Sequence, residues 1–326
     1  MEGDIIVVHL IEEILHAYDL HPVNQIRVTR DQPKKNSIIQ CQCDGKWYVV
    51  KRYQDGWTTK DKIQKSGEFN RYLADAGMPV AKMLDREECY SYLLSLNGES
   101  QLFSVEEYID GKEIGEVTEA VVQQLGMLLA EQHVISEQSG YSFGYSSEWT
   151  LMEGARVAYE GVSENYECFL ELVENAKAYG YEGSLLYQIT DVYHEKRRML
   201  EKMWNELPRG PIQGDWCPYN MVVDSTEKIV GIFDFNIAGD EAFVNELASL
   251  HAYYGERGSD LVQGYETIRP LNNIEKETYP VLLSVILPFR FDRTNSIIAL
   301  MKAKEDKAVM EKLDETLTLL NQKSTT

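Results

Sequence analysis

From Val117 onward the chain is written in helical periods, with one exception. Between Pro208 and Asp240 two short apolar runs, Met221-Val222-Val223 and Ile229-Val230-Gly231-Ile232-Phe233, are separated only by a short polar stretch. Runs of this length read as strands, and two so close together pair as a hairpin. A hairpin set among helices constrains the fold more than any other feature. It puts Asn220 just before the first strand and Asp234 at the end of the second, so both are expected near the hairpin's mouth. Asp215 lies on the loop leading in.

The first third has a different grammar. A helix over Val8–Tyr18 carries an apolar stripe of Ile11, Ile14 and Leu15, and Gln25–Thr29 is a short strand candidate. Ser37–Cys43 and Lys46–Arg52 flank Asp44-Gly45, a dipeptide suited to a tight hairpin turn. A helix over Thr59–Ala76 is stopped by Gly77 with Pro79 beyond. Val80–Leu84, Tyr90–Leu96 and Leu102–Tyr108 read as strands, with Asn97-Gly98 as a second turn. This order predicts an α+β lobe in which one prominent helix packs on an antiparallel sheet. Helices are expected over Val117–Val134, Glu164–Ala178, Leu185–Leu207, Phe243–Gly255, Ser259–Thr267, Asn273–Phe291 and Thr294–Leu320. The turn-rich segment 140–161, with Tyr141, Phe143, Tyr145, Trp149 and Tyr159, is read as an excursion over the core or a pocket. The expected division is 1–109 for the sheet lobe and 110–326 for the helical one.

Charge narrows the partners. Fifty-three acidic against thirty-two basic side chains give the 326 residues a formal charge of -21. Residues 1–105 carry 13 basic and 15 acidic groups, so a net of -19 falls on residues 106–326. Such a field repels nucleic acid and anionic membrane surfaces and favours a cationic small molecule over the second part. Asp240, Glu241 and Glu246 are candidate contacts for such a cation or, equally, helix caps. The start, Met1-Glu2-Gly3-Asp4, lacks a basic n-region, and the apolar run Val281–Phe289 is too short to span a bilayer. Five scattered cysteines make no disulfide framework. Cys41 and Cys43 fall on a strand with no second pair, which argues against zinc. A cytoplasmic location is expected.

The candidate chemistry lies in two places. Asp215, Asn220 and Asp234 supply two carboxylates and an amide, oxygen ligands that Mg²⁺ accepts while leaving room for water and phosphate. Lys51 on the second hairpin strand and Glu68 on the following helix are expected to form an ion pair whose ammonium also reaches phosphate oxygens. Cys217 has no His–acid pair beside it and is read as a packed loop residue; His133 is read as a helix-packing histidine.

Together these segments resemble the small-molecule kinases of the aminoglycoside phosphotransferase, choline kinase and homoserine kinase type. The family's His-Gly-Asp-x-x-x-x-Asn loop is matched by Gln213-Gly214-Asp215 through Asn220, and its Asp-Phe-Asp segment by Asp234-Phe235-Asn236. Leu125-Gly126, Phe103–Gly111, Glu68 through Leu73, and Asn245-Glu246-Leu247-Ala248 match further stretches, from about residue 25 to 255. The resemblance implies a bilobal protein-kinase-like fold and ATP-dependent transfer of the γ-phosphoryl group to a small-molecule hydroxyl, with Mg²⁺ as cofactor. It implies Asp215 as catalytic base, Asn220 and Asp234 as metal ligands, and Lys51, positioned by Glu68, on the α/β phosphates. It further implies that Glu106, Glu107 and Tyr108 line the adenine side largely through backbone groups, with Val222 and Phe233 completing the nucleotide site. Three departures stand out: Gln213 for histidine, Asn236 for aspartate, and no glycine in the presumed phosphate loop 31–37, where Lys34 and Lys35 lie. They motivate an alternative, a kinase-like nucleotide-binding or protein-interaction module. A protein kinase is disfavoured, because no Ala-Pro-Glu-like segment follows Asp234.

Overall fold

The computed structural model describes residues 2–31, 36–96, 98–148, 150–152 and 164–322. The chain divides into two compact units, Met1–Val121 with Asp215–Ala238, and Val122–Gly214 with Gly239–Thr326. The expected boundary at 109/110 kept the 221–233 hairpin with the helices; here it is grouped with the N-terminal sheet.

The first unit opens with α1 (Glu2–Ala17) and five strands in the spatial order β1-β2-β3-β5-β4, all neighbours antiparallel. These are β1 (Val23–Arg30), β2 (Ser37–Cys43), β3 (Lys46–Tyr53), β4 (Tyr92–Leu96) and β5 (Glu99–Glu107). Asp44 (φ 48°) and Gly45 (φ 78°) both take the left-handed region that a two-residue hairpin turn requires. Period-two alternation then sorts the sheet's faces. Ile39, Cys41, Val50, Phe103 and Val105 are buried with Ile11, Ile14 and Leu15 of α1 in one core. That burial pushes the Cys41 thiol up to about 12, so this cysteine behaves as an apolar core residue.

Lys51 points to the other face, with α2 (Lys60–Asp75), which Thr59 caps by accepting from the Lys62 N–H. Gly67 lets α2 close on Tyr90, since a Cβ there would land on the Tyr90 ring. Val80–Leu84 is not a continuous strand but makes two single bridges, Val80 to Ile232 and Met83 to Glu106. Buried Asn70 accounts for this: its side chain donates to the Ala81 carbonyl (3.0 Å) and accepts from the Met83 N–H (2.8 Å), taking groups a ladder would use.

The chain continues through β6 (Lys112–Glu113), then α3 (Glu119–Ser139), α4 (Glu164–Ala178), α5 (Ser184–Met203) and β7 (Arg209–Ile212), before β8 (Met221–Val223) and β9 (Ile229–Ile232). β6, β8 and β9 form a small antiparallel sheet, as the two apolar runs required. Ile232 also bonds Pro79 and Ala81, fastening the hairpin to the segment after α2.

In the second unit β7 pairs with β10 (Gly239–Ala242), and helices follow: α6 (Phe243–Tyr254), α7 (Gly258–Ile268), α8 (Asn273–Ile286), α9 (Phe291–Ala303) and α10 (Asp306–Asn321). Gly126 lets α3 approach α7, because a Cβ there would strike the Leu261 carbonyl. Phe169, Tyr193 and Phe289 stack and cross at ring separations of 3.9–5.4 Å, joining α4, α5 and the short turn after α8. The helix expected over Asn273–Phe291 stops at Ile286, before Pro288. That expected over Thr294–Leu320 is two helices, broken where Lys304 turns left-handed (φ 59°) with no glycine or proline to mark it. Among the described residues no helix is long and apolar enough to cross a membrane. Trp149 and Tyr159 of the 140–161 segment, and Lys34 and Lys35, lie outside the described residues.

Candidate active site

The site is built on the free face of the five-stranded sheet. Lys51 extends from β3 and is 6% exposed. Its partner is Glu106 rather than the expected Glu68: Lys51 Nζ lies 3.1 Å from Glu106 Oε1, both side chains 7% exposed. The cause is register. Glu106 sits opposite Val49, two residues from Lys51, so both charged residues project from one face of adjacent strands. Glu68 is half-buried on α2, where its Oε1 accepts from Gln64 Nε2 at 3.0 Å. Burial pulls the Lys51 pKa down, but the carboxylates of Glu106 and Asp234 more than offset it and hold the ammonium protonated. Burial pushes Glu106 upward, with Lys51 opposing.

The second cluster stands at the mouth of the β8–β9 hairpin. The Asn220 side-chain amide donates to the Asp215 carbonyl (3.2 Å), and the Phe233 N–H donates to the Asn220 carbonyl (3.0 Å). Asp234 follows at once, in the left-handed region (φ 67°). Asp215 is close enough to Asp234 to feel its charge. Its pKa is raised, first by burial and then by Asp234, while hydrogen bonds from Cys217 and Asn220 pull the other way. Cys217 is thus a buried loop residue whose thiol serves Asp215, and burial pushes its own pKa well up. Helix α2 steadies the segment after Asp234: Ser66 Oγ donates to the Phe235 carbonyl (3.1 Å), and Phe69 meets the Phe235 ring edge-on at 6.2 Å. The structure therefore brings Lys51, Asp215, Asn220 and Asp234 together in one unit and leaves Glu68 out of the lysine pair.

Two openings mark this face. A narrow inner cavity is lined by Lys51, Tyr53, Lys62, Ser66, Glu106 and Asn236, among others. Farther along β3 a wide open groove is lined by Arg27, Lys46, Trp47, Glu107, Tyr108 and Asp110, among others. In it Arg27 covers the Trp47 ring at 4.6 Å, and Trp47 lies 6.4 Å from Tyr108. The N–H groups of Glu107 and Tyr108 donate to the Lys82 and Trp47 carbonyls. Val222 packs under Gly111 and Gly231, and Phe233 is half-buried. Sequence reasoning missed Glu106 as a charge partner, and with it Asn70, Ser66 and Lys62. The available signal for Glu106 was a carboxylate in an apolar run, Phe103-Ser104-Val105-Glu106.

In the second unit a buried network holds the residues that precede Asp215. Glu246 accepts from the Gly214 N–H (2.9 Å) and from Gln132 Nε2 (3.2 Å), and its Oε2 is 2.7 Å from His133 Nε2. The Gln213 N–H donates to Gln132 Oε1 (3.1 Å), and His133 Nδ1 is 2.7 Å from the Tyr265 hydroxyl. Burial, reinforced by Arg269, pulls His133 well below the usual histidine range, so it packs neutral. Asp240 accepts from Ser142 Oγ and from the Phe143 and Gly144 N–H groups. Asp240 and Glu246 are thus engaged internally.

Residues 39–270 match the phosphotransferase enzyme family, and the chain belongs to it. A homoserine kinase of Caulobacter vibrioides is 27% identical over an alignment of 227 residues that covers 65% of this chain and 63% of that protein. The chain thus matches under two thirds of that relative's length. Among solved structures, an amicoumacin kinase in complex with AMP-PNP and Ca²⁺ superposes with a TM-score of 0.60 at 17% identity, covering 98% of this chain and 96% of that one. A microcompartment-associated aminopropanol kinase gives a TM-score of 0.59 at 15% identity, covering 96% and 94%. The α+β fold is that of these kinases.

Proposed function

We propose that this member of the phosphotransferase enzyme family transfers the γ-phosphoryl group of ATP to a hydroxyl of a small, amine-bearing molecule. The observation that carries the reading is the convergence of Lys51, Asp215, Asn220 and Asp234 on one unit, with Asp215 and Asp234 close enough for their charges to interact. The amine rests on the net charge of -19 over residues 106–326 and on relatives named for homoserine and aminopropanol. Dependence on the ATP pool agrees with a cytoplasmic location.

Phosphoryl transfer asks a protein for alignment and charge neutralisation. Lys51, kept charged by Glu106, offers its ammonium to the phosphates. Asp215 takes the acceptor's proton as the hydroxyl oxygen bonds to the γ-phosphorus and the bond to the ADP oxygen breaks. Burial raises its pKa, which makes it a stronger base than an exposed aspartate. The donor set fits magnesium. Asn220 spends its amide nitrogen on the Asp215 carbonyl and keeps Oδ1 as an oxygen ligand, and Asp234 adds a carboxylate. One carboxylate and an amide suit an ion that completes its shell with phosphate and water. Bound there, Mg²⁺ would neutralise charge on the β- and γ-phosphates.

The test is the purified chain with Mg-ATP and a panel of small hydroxyl compounds that includes homoserine and aminopropanol, with products read by mass spectrometry. A phosphorylated amino alcohol is the expected product. Tight nucleotide binding with no product across the panel would return the binding-module reading.

A further inference from the structure

We propose that Asn36 and Asp55 are positioning residues for the nucleotide phosphates, tying the connection between β1 and β2 to the exit of the lysine strand β3; this rests on the kinase reading above. The connection over residues 31–36 has no glycine. It therefore lacks the residue that lets a backbone turn freely or come close to a phosphate. Its placement falls to side chains.

The ends of the connection are closed first. Arg30 Nε donates to the Asn36 carbonyl (2.9 Å), and Ser37 Oγ donates to Asp31 Oδ1 (2.6 Å). A second set of bonds then leaves the β1–β2 pair. The Asn36 side chain, buried at 9% exposure, accepts from the Gln54 N–H (3.0 Å) and donates to Asp55 Oδ2 (2.9 Å). Ser37 Oγ accepts from Gln54 Nε2 (2.6 Å). Asp55 also gathers the turn that leads into α2: its Oδ1 accepts from the Trp57 and Thr58 N–H groups (3.0 and 2.8 Å), and its Oδ2 from Thr58 Oγ1 (2.7 Å). Four donors converge on one carboxylate, about as many as its two oxygens accept. Burial pushes the Asp55 pKa up, but these bonds outweigh it and hold the carboxyl below the usual aspartate range. The bond from Asn36 is therefore made to a charged acceptor, the stronger kind.

Register places this tie at the phosphate end of the site. Ile38 stands opposite Lys51 and Ser37 opposite Arg52, so Asn36 lies just beyond the level of the lysine. Gln54 and Asp55 are three and four residues past Lys51 in the chain. Trp47 and the open groove lie the other way along β3. With the Lys51 ammonium on the phosphates, Asn36 and Asp55 fix the chain that flanks the phosphates and not the chain that flanks the base. The turn at the groove end has a different device: Asp44 and Gly45 close β2 onto β3 through backbone conformation. Side-chain bonding from a third segment is thus applied at the lysine end, where phosphoryl transfer demands alignment.

Calorimetry on the full chain, with AMP-PNP and with adenosine, which has no phosphate, tests this. N36A cuts the tie and leaves the Asp55 turn in place. It should bind AMP-PNP about 10-fold more weakly, the usual size of one hydrogen bond to a charged group, with adenosine changed less than about twofold. N36D sets two carboxylates together and should lose more. N36D/D55N restores a donor–acceptor pair with the roles reversed and should recover most of the affinity. Hydrogen exchange read by mass spectrometry should quicken in N36A over residues 36–38 and 54–58 and stay unchanged over β5. AMP-PNP binding by N36A at the wild-type level overturns the proposal. An equal loss for adenosine overturns it as well, since the tie would then hold the fold and not the phosphates. So does N36D/D55N binding no better than N36D. Should N36D not fold, N36A still decides. Wild-type protein that binds neither ligand would instead fail the kinase reading, and this proposal with it.

Discussion

Replacing Glu106 by glutamine is the sharpest test of how the site is held. The Lys51–Glu106 pair is 3.1 Å long, and each side chain is 7% exposed, so solvent screens it little. E106Q removes one charge and leaves the Lys51 ammonium buried. Breaking a buried pair on one side costs about 3–5 kcal/mol, because the remaining ion has lost its compensation. Asp234 stays near Lys51 and supplies part of the missing field, which places the expected loss toward the lower end of that range. E68Q, by contrast, disturbs a half-buried carboxylate outside that pair and should cost about 0–1 kcal/mol. Urea midpoints followed by tryptophan emission distinguish the two. K51M/E106L should recover much of the E106Q loss, since replacing both members with apolar groups is often close to neutral. If E68Q destabilised as much as E106Q, or E106Q were neutral, the assignment of the pair to β3 and β5 would fall.

Other outcomes follow from the same geometry. D215N should lower single-turnover phosphoryl transfer by on the order of 10²-fold or more while Mg-ATP binding survives, and near-wild-type transfer would remove Asp215 from its role. G67A should cost about 1–3 kcal/mol in chemical denaturation, because its methyl group meets the Tyr90 ring; an unchanged midpoint would mean that α2 does not press on Tyr90 as described. His133 is held below 6.5 when folded, so the unfolded chain binds more protons between that depressed value and 6.5. Stability should fall as pH drops through this window, His251 contributing in the same direction, and the slope should shrink in H133Q. A pH profile identical in H133Q and wild type would show that His133 is not the group responsible.

What the sequence disclosed follows the range of the forces involved. The Asp44-Gly45 turn, the α2 helix with its Gly77 stop, and the β8–β9 hairpin are local, and each was legible from a few adjacent residues. The meeting of Asp215, Asn220 and Asp234 was legible for the same reason, since one hairpin holds all three. The partner of Lys51 was not. Choosing between Glu68, seventeen residues away, and Glu106, fifty-five away, requires the β3–β5 register, which no local period encodes. The break at Lys304 was invisible because a lysine took the left-handed position that glycine usually marks. Strand β10 hid for another reason. Gly239-Asp240-Glu241-Ala242 has poor strand composition and is held in place by β7 and by the Ser142–Gly144 loop around Asp240.

Moving the lysine's partner from the helix to the sheet has a mechanical consequence. A pair between β3 and α2 would exist only when the helix stood at the right distance, so helix position could switch the lysine. Here Val49 faces Glu106 and Lys51 faces Ser104 across continuous ladder bonds, so backbone pairing sets the approach of the two charges. Helix α2 is released from that task and acts elsewhere: Ser66 and Phe69 hold Phe235, and Asn70 holds residues 81 to 83. Motion of α2 would then leave the Lys51–Glu106 distance unchanged while displacing the segment after Asp234. A displacement of the helix would thus act on the Asp234–Phe235 segment and not on the first lysine.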